Sequence, residues 1–211
     1  MSERFYYNKG IDMGDNGAGI RIAIVKGSVR SGNFTAKAVA LVVDELQRLK
    51  VGGVDVIDPA ELELAFPGMP AGRSRAEDLR ATIKAATGVV LATPEYHGTF
   101  SSVMKLVIEN MGFPSVLAGK PVALLGVAAG SIGAIKALEH LRGVVSHIGG
   151  IVLPGSISVA GVHNHFDEEG RVTDEKIEAS IRSVATNLLD YMNLNICPRK
   201  CLEEMVREAT A

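Results

Sequence analysis

Two short stretches of this sequence concentrate residue types suited to binding a ligand. The first is Gly27-Ser28-Val29-Arg30-Ser31-Gly32-Asn33-Phe34-Thr35. Gly27 lets the backbone turn sharply and approach a bound group. Ser28, Ser31, Asn33 and Thr35 offer short hydroxyl and amide groups, and Arg30 offers a fixed cationic fork. These residues precede a predicted helix, whose N-terminus favours an anion. The set reads as a phosphate cradle. The alternative is that Ser and Asn only cap the helix, which needs neither Arg30 nor so many hydroxyls. The spacing is not that of a Walker A loop, and the Gly-x-Gly-x-x-Gly of dinucleotide folds is absent.

The second stretch is Thr93-Pro94-Glu95-Tyr96-His97-Gly98-Thr99-Phe100. A loop holding Tyr, His and Phe is costly to expose without a purpose. Pro94 stiffens it and Gly98 allows close backbone approach. Backbone N–H groups here suit the polar edge of a flat heteroaromatic ring, with Tyr96 beside it. His97 suggests general acid–base catalysis. The favoured reading is that it shapes the pocket, because no nucleophile or partner carboxylate is identifiable. A third stretch, Val127-Ala128-Ala129-Gly130-Ser131, leaves room for a ring or chain through its small residues.

These stretches need a scaffold, and the apolar pattern supplies one. Strands are predicted at Arg21–Lys26, Val54–Asp58, Gly88–Ala92 (stopped by Thr93-Pro94), Lys120–Gly126 and Gly150–Leu153. They are continuous apolar runs, as in a sheet covered on both faces. Helices are predicted over Asn33–Lys50, Ser74–Ala86, Ser101–Met111, Gly130–His147 and 174–194. The first carries a stripe at Ala36, Val39, Ala40, Val43, Leu46 and Leu49. Ser74 and Glu77 have the spacing of a capping box. Residues 59–73 and His163–Arg171 read as loops.

Five β-α repeats imply parallel strands with right-handed crossovers. The expected product is a doubly wound sheet of order 2-1-3-4-5. Its ligand site lies where strand order reverses, at the carboxyl ends of strands 1 and 3. The first two stretches fall there.

Composition limits the alternatives. The chain has 211 residues and a formal net charge of −2. No basic block argues for nucleic acid. No apolar run reaches the length of a membrane helix, and Met1–Asn16 lacks the apolar core of a signal peptide, so the expected location is the cytoplasm. Residues 1–19 read as a flexible leader, 20–195 as one domain and 196–211 as a tail. Cys197 and Cys201 lack further ligands for a metal, and a disulfide is disfavoured in a reducing compartment. They read as ordinary thiols.

Gly27-Ser28-x-Arg30, Thr93-Pro94-Glu95-Tyr96-His97-Gly98, Gly119-Lys120-Pro121-Val122 and Leu138-Glu139-His140-Leu141-Arg142 together resemble the NADPH-dependent FMN reductase family. The likeness runs from about Arg21 to Leu153, and the Pro-Glu-Tyr block is its most specific part. It implies a flavodoxin-like three-layer α/β sandwich with a five-stranded parallel sheet. It also implies FMN as cofactor, NADPH or NADH as donor, and a small acceptor: a flavin, quinone, azo dye, chromate or ferric chelate. Ser28, Arg30, Asn33, Phe34 and Thr35 would surround the FMN phosphate. Pro94, Glu95, Tyr96, His97 and Gly98 would line the isoalloxazine, chiefly through backbone groups, and Gly130 and Ser131 would close the far side. Homodimers or homotetramers are expected. No catalytic side chain and no metal are expected, because the flavin carries the chemistry. An electron carrier of the flavodoxin kind, or an FMN-binding sensor without turnover, remains the alternative. Arg73, Arg75 and Arg171 are the arginines considered for a donor 2′-phosphate.

Overall fold

The structure, a computed structural model, describes residues 19–196. Outside them lie the expected tail apart from Ile196, with Cys197 and Cys201, and the expected leader apart from Gly19. In chain order the strands are β1 (Arg21–Lys26), β2 (Gly53–Ile57), β3 (Gly88–Tyr96), β4 (Thr99–Phe100), β5 (Pro121–Val127), β6 (Ile151–Val152) and β7 (Ile157–Val159). The helices are α1 (Phe34–Arg48), α2 (Ala76–Ala85), α3 (Ser102–Glu109), α4 (Ile135–His147) and α5 (Glu175–Asn195).

The sheet runs β2-β1-β3-β5-β6, with β7 also paired to β5 and β4 to β3. All its pairings are parallel except β3 with β4. The expected order is therefore found, with the fifth position shared by two short strands. Pro154 and Gly155 separate them, and Gly155 has a φ of 74° that a side-chain-bearing residue rarely adopts.

Period-two alternation divides the strand residues between two cores. Ile22, Ile24, Val90, Ala92 and Leu125 pack against α1 and α5. Ala23, Val25, Val89, Leu91 and Leu124 pack against α2, α3 and α4. This is the three-layer sandwich. Helix α1 buries Ala38, Val39, Val42 and Leu46, so its inner face is turned slightly from the predicted stripe and Ala40 is exposed.

Three local expectations fail for identifiable reasons. Thr93-Pro94 does not stop β3, which continues to Tyr96. The Ala92 carbonyl accepts from the Gly27 N–H just past the end of β1. Pro94, two residues on, turns its nitrogen to that same side, where β1 has ended and no ladder donor is needed. Ser74 does not cap α2: Arg75 holds the N-cap position, the Ser74 hydroxyl has no hydrogen-bond partner, and Glu77 pairs with Arg80. Helix α4 does not begin at Gly130-Ser131 but at Ile135, after Gly133 turns the chain at a φ of 79°.

Candidate functional site

The loops leaving β1, β3, β5 and β7 gather at the carboxyl end of the sheet, and the order reverses between β1 and β3. At Gly27 the chain passes so close to β3 that an added Cβ would lie 2.6 Å from the Ala92 carbonyl oxygen and 3.1 Å from the Thr93 Cα. No side chain fits there. Ser101, at the N-cap of α3, donates its hydroxyl to the Gly27 carbonyl at 2.5 Å and accepts from the Met104 N–H at 3.0 Å. The Thr93 hydroxyl accepts from the Ser101 N–H at 3.1 Å and donates to the Pro94 carbonyl at 3.0 Å. Thr93 and Ser101 thus join the ends of β1 and β3 to α3 through buried, satisfied hydrogen bonds. Sequence reasoning assigned them no such role. The one available signal was Ser101 three residues before Met104, an N-cap spacing.

From Gly27 the loop runs to α1. Asn33 is the N-cap: its side-chain oxygen accepts from the Ala36 N–H at 2.8 Å, and its amide donates to the Arg30 carbonyl at 2.6 Å. Thr35 is buried in the first turn of α1, and that turn holds no acidic residue. Ser28 is 4 % exposed, and its hydroxyl has no hydrogen-bond partner. Leaving a buried hydroxyl unpaired costs about 1–3 kcal/mol, and this one is available to a ligand at the switch point. Arg30 has no carboxylate partner among the described residues; its guanidinium lies 4.8 Å from the Tyr96 ring centroid. An orphan buried hydroxyl, an unpaired guanidinium and a helix N-terminus free of acid fit a phosphate monoester such as that of FMN.

The second predicted stretch is not a loop but a β-hairpin. Glu95 pairs with Phe100 and Tyr96 with Thr99. The two turn residues, His97 and Gly98, have φ values of 51° and 75°, as a type I′ turn requires. His97 is exposed and Tyr96 half-buried. Glu95 does not offer its carboxylate to the site: it accepts from the Ala137 N–H of α4 at 3.0 Å. Pro94 is buried in the sheet opposite Val127.

The Phe34 ring packs on Phe166 at a centroid distance of 6.0 Å, with the Lys37 ammonium over it. Gly130 and Ser131 are exposed on the β5–α4 loop, and the Gly130 carbonyl accepts from the Gly133 and Gly161 N–H groups. Arg75 is paired with Asp78, and Arg171 with Asp167 and Glu169. Among the described residues no group of three or more His, Cys, Asp or Glu side chains is placed to hold a metal, and no helix is long and apolar enough to cross a membrane.

A doubly wound sheet whose switch point carries a phosphate-type cradle on one side and a stiff aromatic hairpin on the other defines a flavodoxin-like, mononucleotide-binding protein. The chain belongs to the NADPH-dependent FMN reductase family, whose sequence pattern matches residues 20–164. It is 30% identical over 172 residues to an NAD(P)H-dependent FMN reductase of Pseudomonas aeruginosa, covering 77% of this chain and 90% of that one. It is 29% identical over 179 residues to an FMN-dependent NADPH-azoreductase of Staphylococcus haemolyticus, covering 81% and 94%. Among solved structures, the flavoenzyme NAD(P)H:(acceptor) oxidoreductase FerB of Paracoccus denitrificans shares the fold at a TM-score of 0.65 and 22% identity, covering 82% of this chain and 97% of that one.

Proposed function

We propose that this protein is an NAD(P)H-dependent oxidoreductase that binds FMN at the β1–α1 loop and the β3–β4 hairpin and reduces a small acceptor. Bound FMN supplies hydride acceptance from NAD(P)H and electron delivery to the acceptor. The residues of the chain bind and orient it. Ser28, Arg30 and Asn33 hold the phosphate, and Thr35 backs them from the first turn of α1. The His97–Gly98 turn and Tyr96 border the ring, and Gly130 and Ser131 of the β5–α4 loop, whose small residues leave room for it, close its far side. The observation that carries the reading is the buried, unpartnered Ser28 hydroxyl in the loop that leads from β1 to the N-terminus of α1.

The acceptor class is a flavin, quinone, azo dye, chromate or ferric chelate. The site of action is the cytoplasm, where the pyridine nucleotide is available. The assembly is a homodimer or homotetramer, and the exposed Phe66, Met69, Phe113 and Ile132 are candidates for its contacts. Light scattering tests the assembly. The absorbance spectrum of FMN-loaded protein, taken before and after anaerobic NADPH or NADH, tests the function. Bleaching of the bound flavin is expected. A flavin that stays oxidised with both donors would favour an electron carrier or sensor.

A further inference from the structure

Helix α4 has no cap of its own. Ala134 stands at its N-cap position and offers no side-chain acceptor. Two of its first-turn N–H groups are satisfied from elsewhere in the fold. Ser158 Oγ accepts from the Ala134 N–H at 2.8 Å, and Glu95 Oε2 accepts from the Ala137 N–H at 3.0 Å. A carboxylate is well placed there, facing the positive end of the helix dipole.

The same hairpin is tied to α4 at a second point. Thr99 Oγ1 lies 3.0 Å from His140 Nδ1, and His140 is three residues, about one turn, beyond Ala137. Between the two ties, Phe100 packs on Ala128, Ala134 and Ala137. Glu95 and Thr99 stand on the two strands of the hairpin, so both strands are fixed to one helix. The turn they hold contains His97 at a φ of 51°, a conformation uncommon for side-chain-bearing residues.

We propose that Glu95 is a positioning residue for the flavin ring: by capping α4 from the hairpin, it sets the depth of the His97–Gly98 turn along that helix. The inference rests on the FMN reading above. Its carboxylate is engaged by the helix and acts through the backbone of the turn, not by touching the reacting atoms.

The test compares Glu95→Ala with Glu95→Gln in the full-length protein. It reads FMN and riboflavin affinity, the visible spectrum of the bound flavin, and exchange of the Ala137 amide. Glu95→Ala is expected to weaken FMN and riboflavin by the same factor, about tenfold, as befits loss of a charge-assisted hydrogen bond that orders the ring site. The FMN-to-riboflavin affinity ratio then stays at the wild-type value, the bound-flavin spectrum shifts, and Ala137 exchanges faster. Glu95→Gln keeps an oxygen acceptor and restores affinity to within about threefold.

Wild-type affinity for both flavins in Glu95→Ala, with Ala137 exchanging faster, would overturn the proposal. So would a Glu95→Gln variant that protects Ala137 yet binds as poorly as Glu95→Ala. If Glu95→Ala does not fold, Thr99→Val removes the second tie at similar volume. A smaller loss shared by both flavins is then expected, and an unchanged affinity would overturn the proposal. Failure of the underlying reading looks different: the wild-type protein itself would bind neither flavin, and the proposal would fall with it.

Discussion

The β1–α1 loop and the β3–β4 hairpin face each other across the switch point, and they are built in different ways. The loop is anchored on β3 and Ser101 at Gly27 and is otherwise organised by its own sequence. Gly27 makes the close approach, and Asn33 caps the helix three residues before Ala36. The hairpin is organised by contacts more than forty residues away in the chain, Glu95 with Ala137 and Thr99 with His140. The loop also leaves one atom unsatisfied, Ser28 Oγ, whereas the polar side chains of Glu95 and Thr99 are paired. The difference separates two tasks. In the proposed site the phosphate is met by the unpartnered Ser28 hydroxyl, and the ring edge by backbone that other groups have made rigid.

That contrast can be broken most sharply at the point where the two regions touch. Gly27→Ala puts a methyl group against the Ala92 carbonyl and the Thr93 backbone, neither of which can rotate away. A loss of about 3 kcal/mol in thermal or denaturant unfolding is expected, together with loss of FMN binding. Asn33→Ala removes a purely local cap. It should lower stability by about 1 kcal/mol and leave the hairpin's amide-exchange protection unchanged.

Ser28→Ala sharpens the contrast further, because it removes a polar atom that folding buries without a partner. The ligand-free variant should be as stable as the wild type or more stable by up to about 1 kcal/mol, by calorimetry. A clear destabilisation would mean the hydroxyl has a structural partner and is not reserved for a ligand.

The smallest effect on either region is expected from Glu45, which lies away from both between α1 and α5. The hydrogen bond from Arg48 lowers its pKa, burial opposes this, and the charges of Arg48 and Arg182 lower it further. Because the folded state depresses this pKa, the stabilisation is present above the ordinary carboxylate range and is lost as pH falls through the depressed value. Glu45→Gln should therefore flatten the acid limb of the stability–pH curve and leave FMN affinity untouched.

Much of this was legible in the sequence because it is local. Continuous apolar runs located the strands, the order 2-1-3-4-5 followed from the repeats, and Asn33 and Ser101 sit at or beside the predicted helix starts. What was missed depends on partners distant in the chain. Pro94 looked like a strand terminator, and only the end of β1 beside it makes it acceptable inside β3. Ser74 and Glu77 had capping-box spacing, but Arg80 takes Glu77. Helix α4 starts late and uncapped because Glu95 and Ser158 satisfy its donors from other elements, an arrangement that no window of neighbouring residues reveals. The hairpin read as a loop because its turn needs a positive φ at His97, where sequence preference points to Gly or Asn.

The measurement that tests the account most directly is the ratio of FMN to riboflavin affinity in the wild-type protein and in Ser28→Ala, by flavin fluorescence titration. The two ligands differ only in the phosphate. The account predicts that the wild type binds FMN far more tightly than riboflavin. It also predicts that Ser28→Ala lowers the ratio by about tenfold or more, through FMN alone. A ratio unchanged by the substitution would contradict the placement of the phosphate at the β1–α1 loop, and with it the assignment of the site.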